Sequence, residues 1–334
     1  MKRKLVTIGL ILISVLLIST MALSACSKPA ESETITLKGV LAFAPDDPSS
    51  HFALVLSDLV KLRSGGRLNL EILGASEVIK AGDQAEAVRT GAIDFAVTPT
   101  SYYRSLVPAV TGMINSQYTA LEERETGFYD YLVDAHEEVN IYYLGRACNS
   151  QTFFVFTNKM VNTPQELAGQ QMRSSGTYDN FLASLGVVPV RMSHSEKYSA
   201  LERGVIDGTA GPVAVAVSLK EYEVLDYWVN HAFYRAGATA MIFNLDTWNG
   251  LPDDMKDLLN DIQLEIESQL DDYFTSVDSR DVQVLIAGGM EPIEFSEADA
   301  AWYLEQANKG IWQQVTDSLP ADQAQTVLKF LQKQ

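Results

Sequence analysis

The chain has 334 residues, with 43 acidic against 25 basic side chains, a formal net charge of −18 at pH 7 and 47% hydrophobic residues. That length suffices for two domains, and the composition is ordinary for a globular protein. So acidic a chain is unsuited to binding nucleic acid or docking on an anionic membrane surface.

Lys2, Arg3 and Lys4 precede an almost wholly apolar or small run from Leu5 to Leu23, which leads into "LSAC" at 23–26 and a polar stretch. A basic start, an apolar run and a small-residue cleavage site define an export signal over 1–25. The alternative is a single transmembrane anchor. "LSAC" resembles a bacterial lipobox, which implies cleavage before Cys26 and lipid on its thiol, with the body of the protein in water. Residues 26–34 lack large apolar side chains and read as a flexible tether. If Cys26 is lipidated, Cys148 has no disulfide partner and reads as a small buried hydrophobe.

From Ile35 strand-like and helix-like segments alternate. "ITLKGVLAF" reads as a strand, "SSHFALVLSDLVKLRSGG" as a helix with Ser in front and Gly behind, and "RLNLEILG" as a half-buried strand. "QAEAVRTG" is a helix ended by Gly91, and "AIDFAV" is another strand. This order with short links predicts parallel strands and an α/β fold.

One internal echo stands out. "AVRTGAIDFAVTP" at 87–99 and "ALERGVIDGTAGP" at 200–212 share Ala, an aliphatic residue, an Arg, Gly, Ile, Asp and a closing Pro. A helix ending at a left-handed Gly, then a buried strand, then Pro opening the next element, accounts for the unit. Two similar α/β lobes are implied by it, and ligands sit beyond the carboxyl ends of such strands.

The last third is helical. Apolar residues at 255, 258, 259, 262, 266, 270, 273, 274, 277, 284 and 285 keep helical spacing up to Gly288-Gly289. One rod over that span would be roughly 50 Å long and could lie across two domains. "SEADAAWYLEQANKGIWQQV" opens with a Ser-x-x-Asp cap and reads as a further helix.

There is no Gly-x-Ser-x-Gly, His-Glu-x-x-His, Walker loop or Gly-x-Gly-x-x-Gly. His51, His136, His194 and His231 show no metal-ligand spacing, and no metal or cofactor is expected. His136, beside Asp134 and Glu137, reads as part of a solvated helix face. The sequence around Arg173, "AGQQMRSSGTYDNF", holds no acidic residue within five positions of it. An unpaired cation where a strand runs into a loop is either a surface arginine or one awaiting an anion.

"VNTPQELAGQQMR", "LGVVPVRMSHSEKYSALERGVIDG" and "YWVNHAFY", all within 161–234, resemble the DctP-type solute-binding proteins of tripartite ATP-independent periplasmic (TRAP) transporters. Gly-Gln-Gln-Met-Arg in place of Gly-Leu-Lys-x-Arg, and Val187 in place of Ala, are mild departures. The resemblance implies a two-lobed periplasmic-binding-protein-like fold with a hinge and a long C-terminal helix spanning both lobes. The implied division is 35–149 plus 238–275 for lobe I and 150–237 plus 276–334 for lobe II. It also implies that Arg173 holds a ligand carboxylate, for which a planar, permanently charged guanidinium is suited.

By the same resemblance His194 lines the pocket, Gly211 stands where some relatives have Asn, and Phe153 stands where some have a second arginine. Phe43, Glu77, Thr98, Thr100 and Tyr102 occupy the first lobe's loops, and Tyr178 follows Arg173 closely. The implied protein is a lipid-anchored extracytoplasmic receptor that takes a small organic carboxylate and delivers it to a TRAP membrane permease. The alternatives are a ligand-sensing subunit for a membrane receptor, a tethered hydrolase using Ser193, His194 or Ser195, and a surface lipoprotein without a ligand.

Overall fold

The computed structural model describes residues 34–331, leaving aside the side chains of Asn115, Ser195 and Ala236. The export signal, Cys26 and all of the tether but Thr34 lie outside the described residues. The described residues from 36 to 331 form a compact unit built on two sheets.

The strands are β1 (Ile35–Leu41), β2 (Leu68–Ile72), β3 (Phe95–Pro99), β4 (Ile141–Cys148), β5 (Gln151–Thr157) and β6 (Gln171–Ser174). They continue with β7 (Val188–Arg191), β8 (Gly208–Pro212), β9 (Tyr227–Val229), β10 (Tyr234–Ala236), β11 (Thr239–Asn244) and β12 (Glu291–Ile293). The first sheet runs β2-β1-β3-β11-β4; the second runs β12-β9-β5-β8-β6-β7, with β10 also on β5. Strands β1 and β3 are parallel, as are β6 with β7 and β8, whereas β11 and β5 run antiparallel to their neighbours. The chain therefore passes from the first sheet to the second between β4 and β5, and returns between β10 and β11.

Strand β5 shows how sequence places the second core. Phe153 and Val155 join one apolar cluster with Met172 and Phe181, while Phe154 and Phe156 join another with Leu201 and Trp228. Successive side chains point to opposite faces, so a strand buried on both reads as a continuous apolar run. The first sheet's cluster gathers Val40, Ala96, Ile141 and Ile242 with Leu132 and, from the C-terminal end, Val315, Val327 and Leu331.

The echo corresponds to one connection built twice. Gly91 and Gly204 take φ of +73° and +65° after short helices, a conformation glycine adopts without steric cost. Asp94 donates its N–H to the Lys38 carbonyl on β1 at 2.8 Å and accepts the Lys38 N–H at 2.7 Å on its carboxylate. Asp207 does the same to Gln171 on β6, at 2.8 Å.

Two expectations change. The long rod is two helices, Asp253–Glu267 and Leu270–Ala287. At the break the Glu265 carbonyl accepts from Ser268 Oγ at 2.7 Å and Gln269 Nε2 at 3.0 Å. Polar side chains thus take the acceptor that a continuous helix would use. The first helix packs on β4, and the second mainly on β5 and the helix Val213–Ser218. Glu267 holds the Arg146 N–H of β4, whereas Asp271 accepts from Asn149 and Ser150, the residues between β4 and β5. His136 is buried rather than solvated, with its ring nitrogens bonded to Tyr103 Oη and the Leu132 carbonyl. Cys148 is buried and free. No described helix is long and apolar enough to cross a membrane.

Candidate functional site

Arg173 lies on β6, between two parallel neighbours, and is 0% exposed. Its Nε donates to the Met192 carbonyl at 3.0 Å, and Nη1 donates to the Tyr178 hydroxyl at 3.1 Å. Tyr178 in turn donates to the Ala210 carbonyl. Nη2 is buried without a partner, and no carboxylate among the described residues pairs with the guanidinium. A buried charge left in this state is costly unless something completes it. Strand β6 ends at Ser174, so Arg173 sits where the strand runs into a loop, as expected.

A cavity of about 70 Å³ opens beside Arg173, room for about two water molecules. Six of the residues singled out in the sequence line it: Phe43, Thr100, Phe153, Arg173, Tyr178 and His194. Phe43 and Thr100 follow β1 and β3; the others come from β5, β6 and the loops around the second sheet. Both parts of the molecule therefore supply the walls.

Phe43, Ser175 and His194 also line a wider cleft of about 1360 Å³, so they stand between the two spaces. The Phe43 and His194 rings lie 5.7 Å apart. Burial, then the charges of Arg173 and Lys197, push the His194 imidazole well below its usual pKa. It is neutral at pH 7, and its buried Nδ1 has no partner.

Four of the chosen residues stand elsewhere. Tyr102 lines the wider cleft and reaches Arg173 from that side; burial raises the pKa of its phenol, and the charge and hydrogen bond of Arg173 oppose that rise. Glu77 also lies on that cleft and accepts the Ala75 N–H at 2.7 Å, a local turn bond. Thr98 is buried within β3, opposite Ala240, and Pro99 and Thr100 reach the cavity in its place. Gly211 lies on β8 behind Tyr178, where an added methyl would sit 3.8 Å from the hydroxyl; its neighbour Pro212 lines the cavity.

Sequence reasoning missed Arg104, Thr111 and Gln151, which also line the cavity. Arg104 reaches over to donate to the Gly176 carbonyl at 2.8 Å. That contact spans 72 positions, and no local pattern announces it. Ser193 caps its own helical turn, donating to Glu196 at 2.6 Å, rather than engaging His194 as a nucleophile would its base. No cluster of three potential metal ligands occurs among the described residues.

Residues 40–318 match the family model of the bacterial extracellular solute-binding proteins, family 7, DctP. The chain belongs to that family. Over 251 residues it is 28% identical to the C4-dicarboxylate-binding periplasmic protein DctP of Rhodobacter capsulatus, spanning 72% of this chain and 74% of that one. A TRAP periplasmic solute-binding protein from Desulfovibrio salexigens, solved with bound orotic acid, superposes with a TM-score of 0.79 at 20% identity, over 88% of this chain and 96% of that one. DctP7, a Bordetella pertussis extracytoplasmic solute receptor binding pyroglutamic acid, gives 0.79 at 18% identity, over 90% and 100%. The fold is that of the two-lobed TRAP solute-binding proteins. A DctP-type protein is a binding protein and not an enzyme, which removes the hydrolase alternative.

Proposed function

We propose that this DctP-type protein is a lipid-anchored receptor outside the cytoplasm, and that it captures a small organic carboxylate for a membrane permease. The observation that carries the ligand class is Arg173: fully buried, oriented by two hydrogen bonds, and left with Nη2 unpaired on a cavity wall. A carboxylate completes that donor set with a charge-assisted pair. His194, neutral, and Phe43 flank it, with Thr100, Phe153 and Tyr178 as the remaining walls. Thr98, Gly211 and Glu77 stand one layer out, and Tyr102 reaches Arg173 from the wider cleft. The Rhodobacter relative's C4-dicarboxylate and the Bordetella receptor's pyroglutamic acid are acids of suitable size.

The lobes take 35–149 with 238–275, and 150–237 with most of the remainder. The last helix, Ala321–Leu331, goes with the first lobe, because its buried side chains enter the first sheet's core. Capture proceeds by closure of the lobes about the crossings, stabilised by contacts made only when closed. Cys26 carries the lipid. Cys26→Ser is expected to release the protein from the membrane fraction, and retention there would remove the anchor from this reading.

The test of the ligand class is a thermal-shift screen against C4-dicarboxylates, 2-oxo acids, aromatic acids, sugar acids and matched neutral amides. A ligand at 100 times its Kd adds about 2.7 kcal/mol of stability. A carboxylate is expected to raise Tm of the wild type but not of Arg173→Ala or Arg173→Lys, with circular dichroism confirming that the variants fold. Stabilisation by neutral compounds alone, or equal shifts in the variants, would overturn the role of Arg173.

A further inference from the structure

With Arg173 as the carboxylate anchor, a reading on which this proposal rests, the cavity's remaining polar groups face the rest of the ligand. Three buried polar atoms without partners belong to residues on its wall: Arg173 Nη2, His194 Nδ1 and Thr111 Oγ1. Thr111 is 6% exposed. It sits in the 3-10 segment Pro108–Asn115, whose Val110 and Met113 are rooted in the first sheet's core. Arg173 arrives from the second sheet. A ligand held by both therefore touches both lobes.

The charges on the wall are all of one sign. Arg104 and Arg173 line the cavity, and the lining includes no aspartate or glutamate. Beyond the wall, Lys197 is buried against Glu221, so that carboxylate is already engaged. An acid bearing an ammonium group would desolvate a cation beside two guanidinium groups with nothing to neutralise it. A neutral oxygen or amide incurs no such cost, and a threonine hydroxyl can donate to one or accept from the other.

We propose that Thr111 sets specificity. The cavity takes an acid whose carboxylate pairs with Arg173 and whose second polar group is a neutral hydroxyl, oxo or ring-amide group bonded by Thr111, and it rejects acids that carry an ammonium. Discrimination of this kind is strong, because a buried hydroxyl left unpaired penalises the wrong ligand.

Two matched sets test this by isothermal titration calorimetry on the purified protein. One is cyclopentanecarboxylate, pyroglutamate and proline; the other is butyrate, 2-hydroxybutyrate and 2-aminobutyrate. In at least one set the neutral-substituted acid is expected to bind about tenfold or more tighter than the plain acid, with the ammonium-bearing acid weakest. Thr111→Val keeps the shape and removes only the hydroxyl. It is expected to bring the neutral-substituted acid to the level of the plain acid, while leaving the plain acid within about twofold. A Thr111→Val protein that weakens all acids equally, or an ammonium-bearing acid that binds as well as its neutral partner, overturns the inference. If the plain acids bind and Arg173→Lys abolishes that binding while the ranking stays flat, the carboxylate reading survives and this one falls. If none of the six binds, this inference falls, and the thermal-shift screen decides the carboxylate reading.

Discussion

The hydroxyl of Tyr178 holds Arg173 in place: it accepts from Nη1 at 3.1 Å and donates its own O–H to the Ala210 carbonyl. Tyr178→Phe keeps the ring against Phe153 and Phe233 and removes only this link. The guanidinium then keeps the Met192 carbonyl and loses the partner that fixes Nη1. A hydrogen bond to a charged group is worth about 1.5–3 kcal/mol, so carboxylate affinity is expected to fall at least tenfold by calorimetry. Unchanged affinity would mean that packing alone orients Arg173.

His136 makes the protein sensitive to acid. Burial lowers its pKa to about 4, against the Leu132 carbonyl bond that favours the charged form. Its folded pKa lies below the unfolded value of about 6.5, so the unfolded chain binds the proton first as pH falls. The stability that depends on neutral His136 is complete above about pH 6.5 and declines toward pH 4. Urea unfolding of the wild type should show this loss, and His136→Gln should lack that share of the slope.

Asp278 pulls the other way over much of the same range. Burial raises its pKa to about 6, although the Thr152 N–H bonds it at 2.6 Å. Here the folded state binds the proton more readily, so the contribution is complete below about pH 4 and is lost as pH rises through about 6. Asp278→Asn keeps an acceptor for Thr152 and never ionises. Its Tm is expected to exceed that of the wild type by a few degrees at pH 7.5 and to match it near pH 4. A variant that is less stable at pH 7.5 would show that the ionised carboxylate is needed.

What the sequence conveyed depended on how local the physics was. Gly91 and Gly204, with Asp94 and Asp207 three residues on, mark one connection in both lobes because a turn and its neighbouring strand lie close in sequence. Arg173 stood out because its neighbourhood lacks an acid, and the family resemblance supplied the role proposed for it. His136 looked solvated because its sequence neighbours are acidic, but its helix turns it inward against Tyr103, 33 positions away. Arg104 and Thr111 join the cavity only through tertiary packing. The helix break at Ser268 and Gln269 was hidden because the apolar spacing continues through it, and two side-chain hydrogen bonds to one carbonyl decide the matter.

That break has a mechanical consequence. Glu267 fastens one side of it to Arg146 of β4, and Asp271 fastens the other side to Asn149 and Ser150. Two flexures, one in a helix and one in a strand crossing, are thus pinned at the same level. A pair of pins defines a line: turning about it leaves both fastenings intact, while twisting or sliding across it strains them. For the closure proposed above, this arrangement implies a door on two hinges rather than a universal joint, with one permitted swing.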